Sequence, residues 1–140
     1  MKIILITLII VLIAGTVQAA VLDNLWKGII AEAVSEGYQG MYAVACCVRN
    51  RINAGMTTGL VALRRKDLDE FIRREGRQAE HIAKDIIKKV FEENSPDVTG
   101  GATHYENVEA YGVPAWVTQG SMVKTIKNGR HTFYKQRRSR

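Results

Sequence analysis

The stretch Ile30–Arg51, IAEAVSEGYQGMYAVACCVRNR, decides the fold. It closes one helical pattern with two acids, Glu32 and Glu36. Gly37-Tyr38-Gln39-Gly40 then reads as a turn, because Gly37 is a natural helix stop and Gly40 lets the chain double back. From Met41 to Asn53 the pattern is helical again and apolar nearly all round. Met41, Val44, Ala45, Val48 and Ile52 fill one side, and Ala43, Cys46 and Cys47 make the other side apolar too. A helix with no polar face belongs inside, so this one is predicted to be central. Arg49, Asn50 and Arg51 suit its C-terminal end and are placed to pair with nearby acids. A carboxylate at the margin of such a buried helix pair is a usual way to make a general acid.

Upstream, Asp23–Ser35 follows the helical period. At about 100° per residue Leu25, Trp26, Ile29, Ile30, Ala33 and Val34 share a side, and Glu32 falls about 20° from Leu25, at the rim of that arc. Glu36, four residues on, is expected above Glu32 on the same face, where two carboxylates repel and one of them titrates high. The same spacing also fits two solvated glutamates at a helix end.

Downstream, Asn53–Leu63 reads as loop and Lys66–Arg77 as a short charged surface helix with Leu68, Phe71 and Ile72 inward. Gln78–Glu93 is the cleanest amphipathic helix, with Ala79, Ile82, Ala83, Ile86 and Val90 on one face and His81 on the other. Ser95-Pro96-Asp97 breaks the chain. Short β-prone runs follow: Ala102–Tyr105, Pro114 with Trp116 and Val117, Met122–Ile126 and His131–Tyr134. Asn128-Gly129 joins the last two as a hairpin turn. The expected architecture is α+β, a helical half followed by a small antiparallel sheet, in one domain over residues 20–140.

Residues 1–19 stand apart. A positive start, an apolar run over Ile3–Ala14 and small residues through Ala19 describe a secretory signal peptide, cut after Ala19. An uncleaved anchor is the alternative, although the run is short against the roughly 20 residues that span a membrane. Both place the domain outside the cytosol, secreted or in the cell envelope. The formal net charge is +6, and Lys135, Arg137, Arg138 and Arg140 crowd the end. A basic surface suits an anionic polymer, and outside the cytosol a cell wall suits it better than nucleic acid. A simply solvated tail fits those last residues equally well. Cys46 and Cys47 are neighbours, which on one helix cannot easily bridge, so they read as small buried hydrophobes without a disulfide or metal framework.

Three separated motifs resemble one family. Ala31-Glu32-Ala33-Val34-Ser35-Glu36-Gly37-Tyr38-Gln39-Gly40-Met41, with Ala43-Val44-Ala45 and Arg49-Asn50-Arg51, resembles the opening motif of the SleB-type cell-wall hydrolases, which include spore-cortex-lytic enzymes. Asp97-Val98-Thr99-Gly100-Gly101-Ala102-Thr103-His104-Tyr105 resembles their second motif, with Val98 in place of a proline. Trp116 and Gly129-Arg130-His131-Thr132-Phe133-Tyr134 resemble the third. The family's usual Gln-Phe pair is absent. Val61–Arg74 is basic there, with Phe71 as its one aromatic.

The resemblance implies a lysozyme-like fold that cleaves the glycan strand of peptidoglycan, with Glu32 as the catalytic acid. It further implies a lytic transglycosylase, in which one glutamate protonates the glycosidic oxygen and then activates the sugar's own 6-hydroxyl. Glu36 becomes a tuner or substrate contact. Tyr38, Tyr105 and Trp116 become candidates to stack on sugars, with His104 and His131 beside them as substrate-binding candidates. Gly100 and Gly101 would let backbone approach the glycan. No cofactor or metal is expected, nor a nucleic-acid partner. The chain is expected to be a monomer that meets a membrane only through an uncleaved N-terminal segment. Two other classes stay open: a zinc amidase using His81, His104 and His131, and a wall-binding module without catalysis.

Overall fold

The computed structural model describes residues 23–137. The expected signal segment and its cut after Ala19, and the last three residues of the basic tail, lie outside the described residues. The chain has the expected α+β arrangement, with helices first and a three-stranded antiparallel sheet last. Among the described residues no helix is long and apolar enough to cross a membrane.

The first helix, α1, covers residues 23–33 and buries Leu25, Ile29, Ile30 and Ala33. It ends earlier than its periodicity suggests. Ala33 leaves the helical region at φ −144°, and Val34–Glu36 form a single 3₁₀ turn. The reversal expected at Gly37–Gly40 therefore takes place sooner, at Val34–Glu36. Gly37 does act as a stop, at φ +66°, but it also opens the second helix, α2, Gly37–Asn53. Gly40 lies inside that helix. Its missing side chain makes room for Glu36, whose Cβ would sit 2.1 Å from a Cβ built there.

Every residue of α2 from Gly40 to Val48 is buried, so it is the central helix that its all-round apolar pattern predicts. Burying one Val, Leu or Ile side chain is worth roughly 1.5–3 kcal/mol, against about 0.3–0.5 for an exposed i,i+4 ion pair. Pairs such as Lys84–Glu80 and Lys89–Asp85 are of that exposed kind. The α1–α2 core, and not the surface charge, therefore fixes where α1 ends and where Glu32 stands. Cys46 and Cys47 are buried and unbridged. Burial pushes the Cys47 thiol up to about 12, so it stays protonated and inert, as its reading as a small hydrophobe requires.

The expected loop holds a 3₁₀ turn, Val61–Arg64. The two expected helices that follow are one element, α3, Leu68–Ile87, kinked where Gly76 takes φ 84°, ψ 174°. The periodicity is correct on both sides of the kink, and only glycine makes so sharp a break cheap. A π-helical turn, Lys88–Glu92, completes it. His81 is exposed.

Strand β1 is His104–Glu106, β2 is Met122–Asn128 and β3 is His131–Gln136. The spatial order is β1-β3-β2, with His104 opposite Tyr134 and Asn128 opposite His131 across the hairpin. As the middle strand, β3 buries His131–Tyr134 without a break. One expectation fails here. Trp116 and Val117 lie not in a strand but in a single helical turn, α5, Ala115–Thr118, preceded by α4, Val108–Tyr111. Pro114, at φ −65° and ψ 150°, is the extended N-cap residue of that turn.

Candidate active site

A cleft of about 440 Å³ opens where the end of α1, the Val61–Arg64 turn, β1 and α5 meet. Glu32, on the last turn of α1, forms part of its wall and is half-buried. Its Oε1 accepts a hydrogen bond from the Ala62 backbone amide at 3.1 Å. The turn that carries Ala62 is seated by the close packing of Gly28 on α1, where a Cβ would meet Leu60 at 2.7 Å. Tyr105 lies against the carboxylate. Burial, then the charge of Glu32, pushes its phenol far above its ordinary range, so it remains a neutral donor.

Arg51 and Trp116 complete the walls. Arg51 does not pair with an acid, as its place at the helix end suggested. It donates instead to the carbonyls of Thr57 and Thr103, each at 2.8 Å, and so ties both edges of the cleft to α2. Gly59 permits this approach, since a Cβ there would lie 2.8 Å from the Arg51 Nε. The Trp116 ring stands 5.2 Å from His104 and 5.3 Å from Tyr134. Burial, then the Arg51 charge, lowers the His104 pKa, which favours a neutral ring beside the indole. Its Nδ1 lies 3.0 Å from the Thr103 hydroxyl.

The second sequence motif is a loop built on Asp97. Its carboxylate accepts from the Thr99 amide and hydroxyl, the Gly101 amide and the Asn50 side chain, at 2.6–3.0 Å. Partial burial raises its pKa, but those hydrogen bonds outweigh burial and hold it below the usual value. Asn50 also reaches the Ala102 carbonyl at 2.9 Å, and Arg49 reaches those of Val90 and Ser95. The Arg49-Asn50-Arg51 run therefore latches the loop to the central helix. That latch delivers Thr103 and His104 to the cleft.

The remaining candidates divide. Glu36 does not stand above Glu32, because the helix ends at Ala33 and the 3₁₀ turn redirects the chain. Its side chain is 7% exposed and pairs with Arg130, Nε to Oε1 at 3.2 Å, while Oε2 accepts from the Arg130 amide at 2.9 Å. A Cβ at Gly129 would fall 2.0 Å from that Oε2. Glu36 is thus a clamp holding the β2–β3 turn. Tyr38 stacks on Tyr42 at 6.0 Å beside Lys89, away from the cleft lining. His131 is buried beneath Tyr105, 5.1 Å between rings. Gly100 and Gly101 line an adjoining recess.

Sequence reading missed Glu106, a second carboxylate in the cleft lining, and the wall roles of Arg51 and Thr103. Strand alternation carried a signal for Glu106, since it stands two residues after His104 and shares its face. The amidase alternative loses its donor set. His81 is exposed on α3 and His131 is buried, and among the described residues no three His, Cys, Asp or Glu side chains gather to hold a metal.

The family model for cell wall hydrolases matches residues 35–134. Glu32 lies just ahead of the matched segment. Among solved structures, the catalytic domain of the germination-specific lytic transglycosylase SleB from Bacillus anthracis is similar at a TM-score of 0.53 and 22% sequence identity. That likeness, which is one of fold, covers 81% of this chain and 93% of the other. No curated protein sequence matches.

Proposed function

The chain belongs to the cell wall hydrolase family, and we propose that it is a lytic transglycosylase that cuts the glycan strand of peptidoglycan with Glu32. The observation that carries this reading is the setting of that carboxylate. It stands half-buried in the cleft wall, one oxygen fixed by the Ala62 amide and Tyr105 against it, with the Trp116 ring in the same cleft lining.

The chemistry needs one group in two states. Protonated Glu32 gives its proton to the glycosidic oxygen, and the bond from that oxygen to the muramic C1 breaks. The carboxylate then takes the proton of the muramic 6-hydroxyl, whose oxygen closes on C1. The product is a 1,6-anhydro end, no water is consumed, and Glu32 is again an acid. The Ala62 amide steadies the charged form, and the neutral Tyr105 hydroxyl is a second donor within its reach. Trp116 offers a ring face to a sugar.

Glu106 supports a second reading. A further carboxylate in the same cleft is what hydrolysis by a two-carboxylate scheme requires. The two readings differ by one water in the product. Mass spectrometry of muropeptides released from purified sacculi is expected to show anhydro ends, and reducing ends instead would transfer the assignment to hydrolysis.

Export follows from the same reading, because peptidoglycan lies outside the cytoplasmic membrane. N-terminal sequencing of the secreted protein is expected to begin at Ala20. A start at Met1 would indicate an anchored form.

A further inference from the structure

Beside the cleft lies a second recess of about 880 Å³, which shares Thr103 and His104 with it as lining. Its walls are the Gly100-Gly101 loop, Met56 and the end of β3 with Lys135 and Arg137. None of the described residues that line it is acidic. Asp97, in the neighbouring loop, is engaged by Thr99, Gly101 and Asn50. Lys135 and Arg137 are both exposed, and Lys135 Nζ donates to the Gly100 carbonyl at 3.2 Å, which holds that ammonium over the loop.

We propose that this recess receives the acidic stem peptide of a sugar bound in the Glu32 cleft, with its carboxylates on Lys135 and Arg137. The proposal rests on the glycan-strand reading above. A muramic residue carries its peptide as a branch through the lactyl ether, so a strand seated in the cleft sets a short acidic chain beside it. The recess suits that branch better than another sugar. It has two cations and small apolar walls from Met56 and Val123, and no tryptophan, tyrosine or phenylalanine among the residues lining it. Gly100 and Gly101, at φ +66° and +82°, keep the floor free of side chains where a peptide backbone would lie.

The test uses glycan strands from one batch of sacculi, with stem peptides left intact or removed by an amidase. The wild-type protein is expected to favour stem-bearing strands in kcat/KM by roughly 3- to 10-fold, as two partly exposed ion pairs allow, with the difference in KM. In the Lys135→Gln/Arg137→Gln double variant that ratio falls to about one. A ratio that survives the double change overturns the proposal. That outcome includes an equal loss on both substrates, the mark of general attraction to polyanions. A wild-type protein without preference overturns it as well.

Cleavage of neither substrate would refute the glycan reading. Binding then decides the recess separately. A free stem tetrapeptide titrated into the isotope-labelled full chain is expected to shift the amides of Gly100, Gly101 and His104. The same titration of the double variant should leave them still. Unshifted amides in the wild type would refute the site.

Discussion

Glu32 and Glu36 stand four residues apart on either side of one helix end, and the structure gives them opposite settings. Glu32 faces a cleft, half-buried, with one oxygen on a backbone amide and Tyr105 against it. Glu36 faces protein: its carboxylate is closed off by Arg130 and by the glycine turn of the hairpin. The difference arises at Ala33, where the helix stops and the next three residues turn away. In a continuous helix the two acids would have shared a face. A single backbone break separates a candidate catalytic group from a structural one.

The largest expected effect concerns Glu32. Glu32→Gln keeps an acceptor for the Ala62 amide but cannot transfer the proton, so wall lysis is expected to fall by about 10²–10⁴. Stability should stay within about 0.5 kcal/mol. Turbidity loss of purified walls and circular dichroism check the two halves. Lysis above about a tenth of wild type, in a folded variant, would remove Glu32 from the chemistry.

Gly129→Ala attacks the other glutamate. A methyl there meets the Glu36 carboxylate at 2.0 Å, and the backbone stands at φ +56°. The expected loss is about 1–3 kcal/mol of stability, read from urea unfolding. A neutral result would mean that the hairpin turn is not clamped at all.

His131 lies between the two regions and feels both. Burial lowers its pKa below the ordinary 6.5, against the charges of Glu36, Glu32 and Glu106, which raise it. The unfolded chain therefore binds the proton first as pH falls. The stability tied to a neutral His131 is complete above 6.5 and is lost as pH drops toward the lower, folded value. From about pH 7 to about pH 5 the wild-type thermal midpoint is expected to fall further than that of His131→Phe. Equal slopes would take His131 out of the acid response.

Arg130→Gln is expected to do least. The guanidinium is 61% exposed, and such a pair is worth about 0–1 kcal/mol. The backbone amide of residue 130 still donates to Glu36. A loss as large as that of Gly129→Ala would show that the charge, and not the turn, holds the hairpin.

The sequence and the structure agree where burial writes the pattern. The all-round apolar run of α2 and the inward stripe of Gln78–Glu93 were legible because side-chain spacing reports directly on what is buried, and the Asn128-Gly129 hairpin because its turn needs those residue types. The place of Glu32 at the rim of an apolar arc was legible from spacing too, while its candidacy as the acid came from the family resemblance. Backbone events left no such trace. The early stop at Ala33, which parts Glu36 from Glu32, depends on Gly37 and on the space Gly40 leaves, and a glycine marks a change of direction without saying which. Trp116 belongs to a run too short for periodicity, where Pro114 decided in favour of a helical turn. Glu106 and Arg51 became site residues only through the partners the fold brings to them.

One of these glutamates is assigned to the chemistry and the other to the fold. Measuring Glu32→Gln and Glu36→Ala side by side, each for wall lysis and for thermal midpoint, tests that assignment most directly. Glu32→Gln is expected to lose lysis by about 10²–10⁴ at an unchanged midpoint. Glu36→Ala is expected to lose about 1–3 kcal/mol of stability, a midpoint lower by roughly 5–10 °C, while cleaving walls well below that midpoint. The reverse pattern, with Glu36→Ala folded but inactive and Glu32→Gln active, would contradict the account.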